Sequence, residues 1–323
     1  MGTSAESTVI TTSGARGRAL NQNIAEIIAE VEGRISRTDS ESEIYRLNEL
    51  LRFSPLNYYN ITPETARFLR IAQDVQTATN GAFSPILGEI IDLWGIKDRD
   101  REHELPQRAQ FFPALERSKS SYEIQDNYFT TESYGYQFDL SGISRGYALD
   151  HVNSYLESQN IRNAFIRLGK AQYSNSIVAL GKSGGGDLWR IGTPGGIIQA
   201  SDKFISIASG NEHRATIRGV DYIHIIDPST GYPVAKDFHD LRHVIVIMDA
   251  PSASMPRERR ERFRNNGVIA DALSTALFVM GRQGALEFYK SGVFDFEMIL
   301  FVRSESDPRG YEILRTNVIF DEF

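Results

Sequence analysis

Apolar residues recur at helical spacing early in the chain. Ile24, Ile27, Ile28 and Val31 stand three and four positions apart, the stripe by which a helix buries one side. Val9-Ile10-Thr11-Thr12, before them, reads as a first strand. Ser40 and Glu43 have the spacing of a capping box for a second helix carrying Ile44, Leu47 and Leu51. Thr62-Pro63-Glu64 opens a third helix, with a hydroxyl to cap it and a proline where the missing N–H costs nothing. That helix runs through Leu69, Ala72 and Val75 and should stop at Asn80-Gly81. A shorter helical segment carries Ile86, Ile90 and Leu93-Trp94. The first ~115 residues thus read as mostly helical.

Near residue 118 the pattern changes. Tyr122 to Thr131 and Tyr134 to Leu140 alternate as two strands joined by a polar turn. A helix is expected from Ser144 to Ser158, then strands at Ala164–Leu168, Ile177–Leu180, Trp189–Ile191, Phe204–Ile207, Tyr222–Ile226 and Leu241–Met248. Val268 to Met280 and Ala285–Tyr289 read as two helices, and Phe296–Val302 and Tyr311–Leu314 as closing strands. No internal repeat is visible. Strands in runs, broken by single helices, point to an α+β fold rather than a regular βαβ series. All 323 residues are read as one domain, in which two packed lobes could meet near 118.

Composition narrows the function. No stretch approaches the ~18 consecutive apolar residues of a membrane helix. Thirty-five basic against 42 acidic residues give a net charge of −7, which argues against a nucleic-acid partner. With no cysteine, disulfides, thiolate metal sites and a cysteine nucleophile are all excluded. Met1-Gly2-Thr3-Ser4-Ala5-Glu6 has neither a basic nor an apolar leader pattern, as would also hold after removal of a signal. The basic run Pro256 to Arg264 reads as a solvated insertion, with contact to an acidic partner as the alternative.

Three polar, glycine-bearing segments could hold chemistry. Phe138 to Tyr147 takes a strand through a tight turn into a helix, whose N-terminus favours an anion; an ordinary capped turn would look the same. In Tyr222 to Pro233, His224 faces the opposite side of its strand from Ile223 and Ile225, beside the turn Asp227-Pro228-Ser229-Thr230-Gly231. It is either a structural histidine or a base. In Ile269 to Leu277, Asp271 and Thr275 stand at i and i+4, so their oxygens leave one face of the helix. The acid could simply answer the helix dipole, or the pair could form part of an oxygen site for magnesium. Gly181-Lys182-Ser183 is not a phosphate loop, because Ser176 stands where that loop needs glycine, and Gly184-Gly185-Gly186 reads as a hairpin connection. His103, His151, His213, His239 and His243 lack metal-ligand spacing.

In this order and spacing the segments resemble the FAD:protein FMN transferases of the ApbE family. The likeness starts at Met1-Gly2-Thr3. It continues through Ser42-Glu43-Ile44-Tyr45-Arg46-Leu47-Asn48, Thr79-Asn80-Gly81-Ala82-Phe83-Ser84-Pro85 and Leu93-Trp94-Gly95. Asp139 to Asp150, His224 to Pro233 and Ala270 to Gly281 complete it. The resemblance implies an α+β fold around an FAD cleft and transfer of FMN to a Ser or Thr of an acceptor flavoprotein subunit. It also implies an extracytoplasmic location. Carried over residue by residue, it implies Mg²⁺ held by Asp271, Thr275 and the Gly142 carbonyl. FAD contacts would come from Met1, Ala82, Phe83, Ser84, Asp139 and Arg145, and His224 would be the base. Arg145 stands where the family usually has lysine, and Thr38 where many members have a tyrosine that contacts FAD. Leu168-Gly169-Lys170-Ala171-Gln172 also departs from the usual Leu-Gly-Gly.

The expected chemistry is phosphoryl transfer, in which diphosphate charge must be neutralised before a nucleophile can approach. Two rivals share these residues. One is a Mg²⁺-dependent FAD pyrophosphatase giving FMN and AMP, kept open by Thr38; the other is a non-catalytic FAD-binding protein.

Overall fold

A computed structural model describes residues 4–98, 100, 102–170, 173–252 and 255–323. In chain order the first elements are β1 (Ala5–Val9), α1 (Gly14–Ile35), α2 (Glu43–Leu51), β2 (Leu56–Asn60), α3 (Pro63–Ala78), α4 (Gly88–Trp94) and α5 (Arg108–Arg117). Next come β3 (Glu123–Gln125), β4 (Tyr128–Thr131), α6 (Ser144–Ser158), β5 (Ala164–Gly169), β6 (Asn175–Leu180), β7 (Trp189–Thr193), β8 (Gly196–Ala200) and β9 (Lys203–Ser209). The chain closes with β10 (Arg214–Ile217), β11 (Val220–Ile226), β12 (Pro233–Ala235), β13 (Leu241–Asp249), α7 (Arg257–Arg262), α8 (Asn266–Ser291), β14 (Glu297–Arg303), β15 (Tyr311–Arg315) and β16 (Phe320–Glu322).

A seven-stranded antiparallel sheet, ordered β1-β5-β6-β9-β13-β14-β15, forms the centre. Both faces are covered, which is why β13 is apolar almost throughout. Val244, Val246 and Met248 join the large core shared with the helices, whereas Ile245 and Ile247 join a second core with Ile191 and Ile198 of β7 and β8. The first core also takes Ile24, Leu47, Leu69 and Val75 from α1 to α3, whose helices reach the sheet by way of α6 and α8. The fold is α+β. Among the described residues no helix is long and apolar enough to cross a membrane.

Two helices carry the polar segments. α6 and α8 cross so closely that a Cβ on Gly146 would stand 2.1 Å from the Gly267 carbonyl oxygen and 2.7 Å from Asp271 Cβ. Asp150 of α6 fastens the crossing by accepting the N–H groups of Gly267 and Val268 at 2.8 and 2.9 Å, which caps the start of α8. α8 breaks at Gly281, at φ 71°, giving the two helical pieces expected there.

Several local expectations need correction. α2 is capped by Ser42, not Ser40: the Ser42 hydroxyl accepts the Ile44 N–H and donates to the Arg34 carbonyl, while Glu43 turns away to accept from Thr62. The first strand is Ala5–Val9 rather than Val9 to Thr12, because its partner β5 lies opposite those residues. Tyr134 to Leu140 is no strand, since its backbone bonds go to the end of α2, the start of α4, Pro85 and the Asn48 side chain rather than to a strand. Gly184 to Gly186 do not close a hairpin, because β6 belongs to the central sheet and β7 to a small one, β16-β8-β7. The basic run contains the short α7, and its arginines meet nearby acids: Arg259 with Asp249, Arg260 with Glu157, Arg264 with Glu261.

Candidate active site

Asp139 owes its place to the segment that does not become a strand. The Asn48 amide donates to the Phe138 carbonyl at 3.0 Å and accepts the Phe138 N–H at 2.8 Å. The Asp139 N–H donates to the Pro85 carbonyl at 2.8 Å, and the Gly88 N–H to Gln137 at 3.1 Å. These bonds tie the Ala82-Phe83-Ser84 loop to the turn before α6. The Asp139 carboxylate then meets Arg37 Nε at 2.6 Å and accepts the Ser141 N–H and hydroxyl at 3.0 and 2.5 Å. Burial pushes this carboxyl up, but Lys97, Arg37 and Ser141 together hold it below the ordinary value.

The loop and turn enclose a cavity of about 720 Å³, in the range of small-molecule sites. Ala82, Phe83, Ser84, Asp139, Arg145 and His224, all expected at an FAD site, line it together with Gly142 and Thr275. Thr38 does not. It is exposed in an adjoining hollow that shares Lys97, Asp139, Ser141 and Ser144 with the cavity. Met1 lies outside the described residues.

Arg145 donates to the Ser174 carbonyl at 2.9 Å, and its other nitrogen lies 3.8 Å from Asp271. Lys97 and Lys170 add two more cations to the lining. Lys97, Arg37, Tyr173 and Glu212 belong to no motif of the sequence, where Lys170 appears only as a departure from one and His213 only as a histidine without metal-ligand spacing. Lys97 Nζ reaches the Ser141 hydroxyl at 3.4 Å.

Of the three expected metal ligands, two face the cavity. A Cβ on Gly142 would lie 4.0 Å from the Thr275 hydroxyl, so that turn and α8 come within one side chain of each other. Asp271 sits behind them, 1% exposed. Its Oδ1 accepts the hydroxyls of Ser176 and Ser206 at 2.8 and 2.9 Å, and its Oδ2 accepts the Gly146 N–H at 3.0 Å. The Asp271 carboxylate, the Thr275 hydroxyl and the Gly142 carbonyl are hard oxygens of the kind magnesium takes. With one hydrogen bond, Oδ2 keeps a lone pair.

His224 enters the lining from another element, β11. Its flanking Ile223 and Ile225 are buried, and its own side chain is 15% exposed. Its backbone N–H donates to the His213 carbonyl at 3.1 Å, and the two rings meet edge to face at 5.5 Å. Burial, with Lys97, His213 and Arg145 nearby, holds the imidazole well below 6.5, hence neutral at pH 7.

A helix N-terminus, three cations, hard oxygen donors and a neutral imidazole around one hollow make a site for a phosphorylated ligand. The chain belongs to the ApbE family, whose model matches residues 1–300. It is 26% identical over 304 residues to the FAD:protein FMN transferase of Haemophilus influenzae, covering 88% of this chain and 79% of that protein. To the enzyme of the same name from Vibrio cholerae it is 25% identical over 298 residues, covering 88% and 80%. The solved flavin transferase ApbE from Vibrio cholerae superposes with a TM-score of 0.77 at 23% identity, over 98% of this chain and 94% of that one. The ApbE protein of Thermotoga maritima gives 0.75 at 23%, over 98% and 96%.

Proposed function

We propose that this protein transfers FMN from FAD to a serine or threonine hydroxyl of an acceptor protein, with AMP leaving and Mg²⁺ as cofactor. One observation carries the reading: Arg145, Lys97 and Lys170 share a cavity with the Gly142 and Thr275 oxygens and a neutral His224. The names of the relatives support its coarser part, transfer of FMN from FAD to a protein. Gly142, Asp271 and Thr275 would hold the Mg²⁺, which supplies positive charge against the diphosphate. Arg145 at the start of α6 orients the flavin-side phosphate, and Lys97 the adenylate side. Phe83 offers the flavin an aromatic wall, and Ala82 and Ser84 keep that approach narrow. His224 takes the hydroxyl proton, a role open to a ring that is unprotonated at neutral pH.

Incubating the protein with FAD, Mg²⁺ and extracts of source-cell proteins, then weighing proteins and nucleotides by mass spectrometry, tests this. FMN mass on a protein together with free AMP supports transfer. Unaltered FAD overturns the reading. Free FMN with AMP and no labelled protein selects the second reading, in which water takes the place of the acceptor. What favours that reading is Thr38, whose small, exposed side chain leaves the adjoining hollow open.

A further inference from the structure

Among the described residues the cavity wall carries two carboxylates, Asp139 and Glu212. Asp139 is already taken up by Arg37 and Ser141. Glu212 instead places Oε2 at 3.9 Å from His224 Nε2. The backbone brings them together: Glu212 and His213 lead into β10, and the His224 N–H bonds to the His213 carbonyl at the mouth of that hairpin. His224 Nδ1 is buried and, among the described residues, meets no hydrogen-bond partner. Exchange of a proton with the cavity therefore falls to Nε2, the nitrogen beside Glu212.

We infer that Glu212 is a positioning residue for His224: it holds Nε2 toward the cavity and offsets the charge the ring gains on taking a proton. This rests on His224 being the base of the proposed transfer. The other groups near the ring are Lys97, Arg145 and His213, and Lys170 also lines the cavity. Without Glu212 an imidazolium here would meet cations and a second imidazole alone. In the reaction the acceptor O–H proton passes to Nε2, and the oxygen's electron pair forms the new bond to the flavin-side phosphorus. The bond from that phosphorus to the bridging oxygen breaks, and its electrons leave with AMP. The new Nε2–H then lies beside Oε2, close enough for a side-chain rotation to close a charge-assisted hydrogen bond.

The test uses ¹⁵N-imidazole NMR titration of the full chain, which needs no turnover. It is paired with AMP release from FAD and Mg²⁺ in the presence of source-cell protein extract as acceptor, across roughly pH 5 to 9. Glu212→Gln should lower the His224 titration midpoint by about one pH unit and cut turnover about 10- to 100-fold, with KM for FAD changed less than about 3-fold. The acid limb of the rate profile should move to lower pH, because the ring then loses its proton more readily. Glu212→Asp should recover most of both effects. An unmoved midpoint in a folded Glu212→Gln protein overturns the inference, as does one that rises. The underlying reading fails separately: His224→Ala turning FAD over at the wild-type rate removes the base, whatever Glu212 does to the titration.

Discussion

Along α8, the Asp271 carboxylate accepts two hydroxyls and a backbone N–H; in β11, His224 keeps a buried Nδ1 with no partner among the described residues. Hydrogen bonds to a charged group contribute about 1.5–3 kcal/mol each, whereas an unsatisfied buried polar atom costs about 1–3 kcal/mol. One wall is therefore stabilised by its polar groups and the other gives up stability to hold them. The helical wall, packed glycine on glycine, has nowhere to move. The wall of β10, β11 and β12 is a separate three-stranded sheet, and the ring on it can still gain a proton. The contrast shows how one cavity divides fixed charge from mobile charge.

The comparison breaks most completely at Gly146. Gly146→Val drives a side chain into the Gly267 carbonyl, so the α6–α8 crossing should fail, with a loss of about 3 kcal/mol, the upper end for overpacking, in urea unfolding. Wild-type stability in that variant would mean the helices can part, and that the helical wall is not the rigid one.

Asp271→Asn keeps the shape but sets an amide against the serine hydroxyls and the Gly146 N–H. It should cost about 1–3 kcal/mol and abolish Mg²⁺-dependent turnover in a protein that still folds. Thr275→Val should impair turnover while leaving the Asp271 bonds untouched. Full Mg²⁺-dependent activity in Asp271→Asn would remove the metal from this wall.

Outside both walls, in the central sheet, His243 is buried in β13, and burial, with Arg242 and Lys236, lowers its value to about 4. The unfolded chain takes up that proton near 6.5. Stability from this group is thus whole above 6.5 and is lost as pH falls toward 4, by about 3 kcal/mol. Chemical denaturation at stepped pH should show this slope, and His243→Leu should flatten it. A slope unaffected by that change would place the acid sensitivity elsewhere.

The smallest effect is expected at Thr38. An aromatic ring introduced by Thr38→Tyr should narrow the hollow beside Lys97 and Asp139 and raise the ratio of protein-bound to free FMN. An unchanged ratio takes Thr38 out of the choice between acceptor and water.

Legibility in the sequence followed how local each cause was. Thr62-Pro63 carries its own cap chemistry, and the helix begins there, with the Thr62 hydroxyl accepting the Thr65 N–H. Ser144 to Ser158 was readable residue for residue. Tyr134 to Leu140 misled because its alternation is that of a strand, while its partners, Asn48 and Pro85, lie some 50 and more positions earlier. β8, β10, β12 and β16 are short and sit in small sheets, where alternation is too brief to register. At the site, Ala82, Phe83, Ser84, Asp139, Arg145 and His224 came from motif order, and they share the cavity. Lys97 and Glu212 belong to no pattern, since an exposed lysine after a helix and a glutamate before a strand are unremarkable until the fold brings them together.

The pairing of β1 with β5 also bears on how the chain reaches this fold. Ala5 lies opposite Leu168, so the first strand can enter the sheet only by closing a loop of roughly 160 residues. During synthesis β1 has no partner edge until β5 has left the ribosome, by which time α1 to α6 are already outside. Contacts so distant in sequence form late and slow the overall rate. Among the elements that build the central sheet, β1 is thus the one whose docking should trail in refolding, and whose unpaired edge most needs shielding until then.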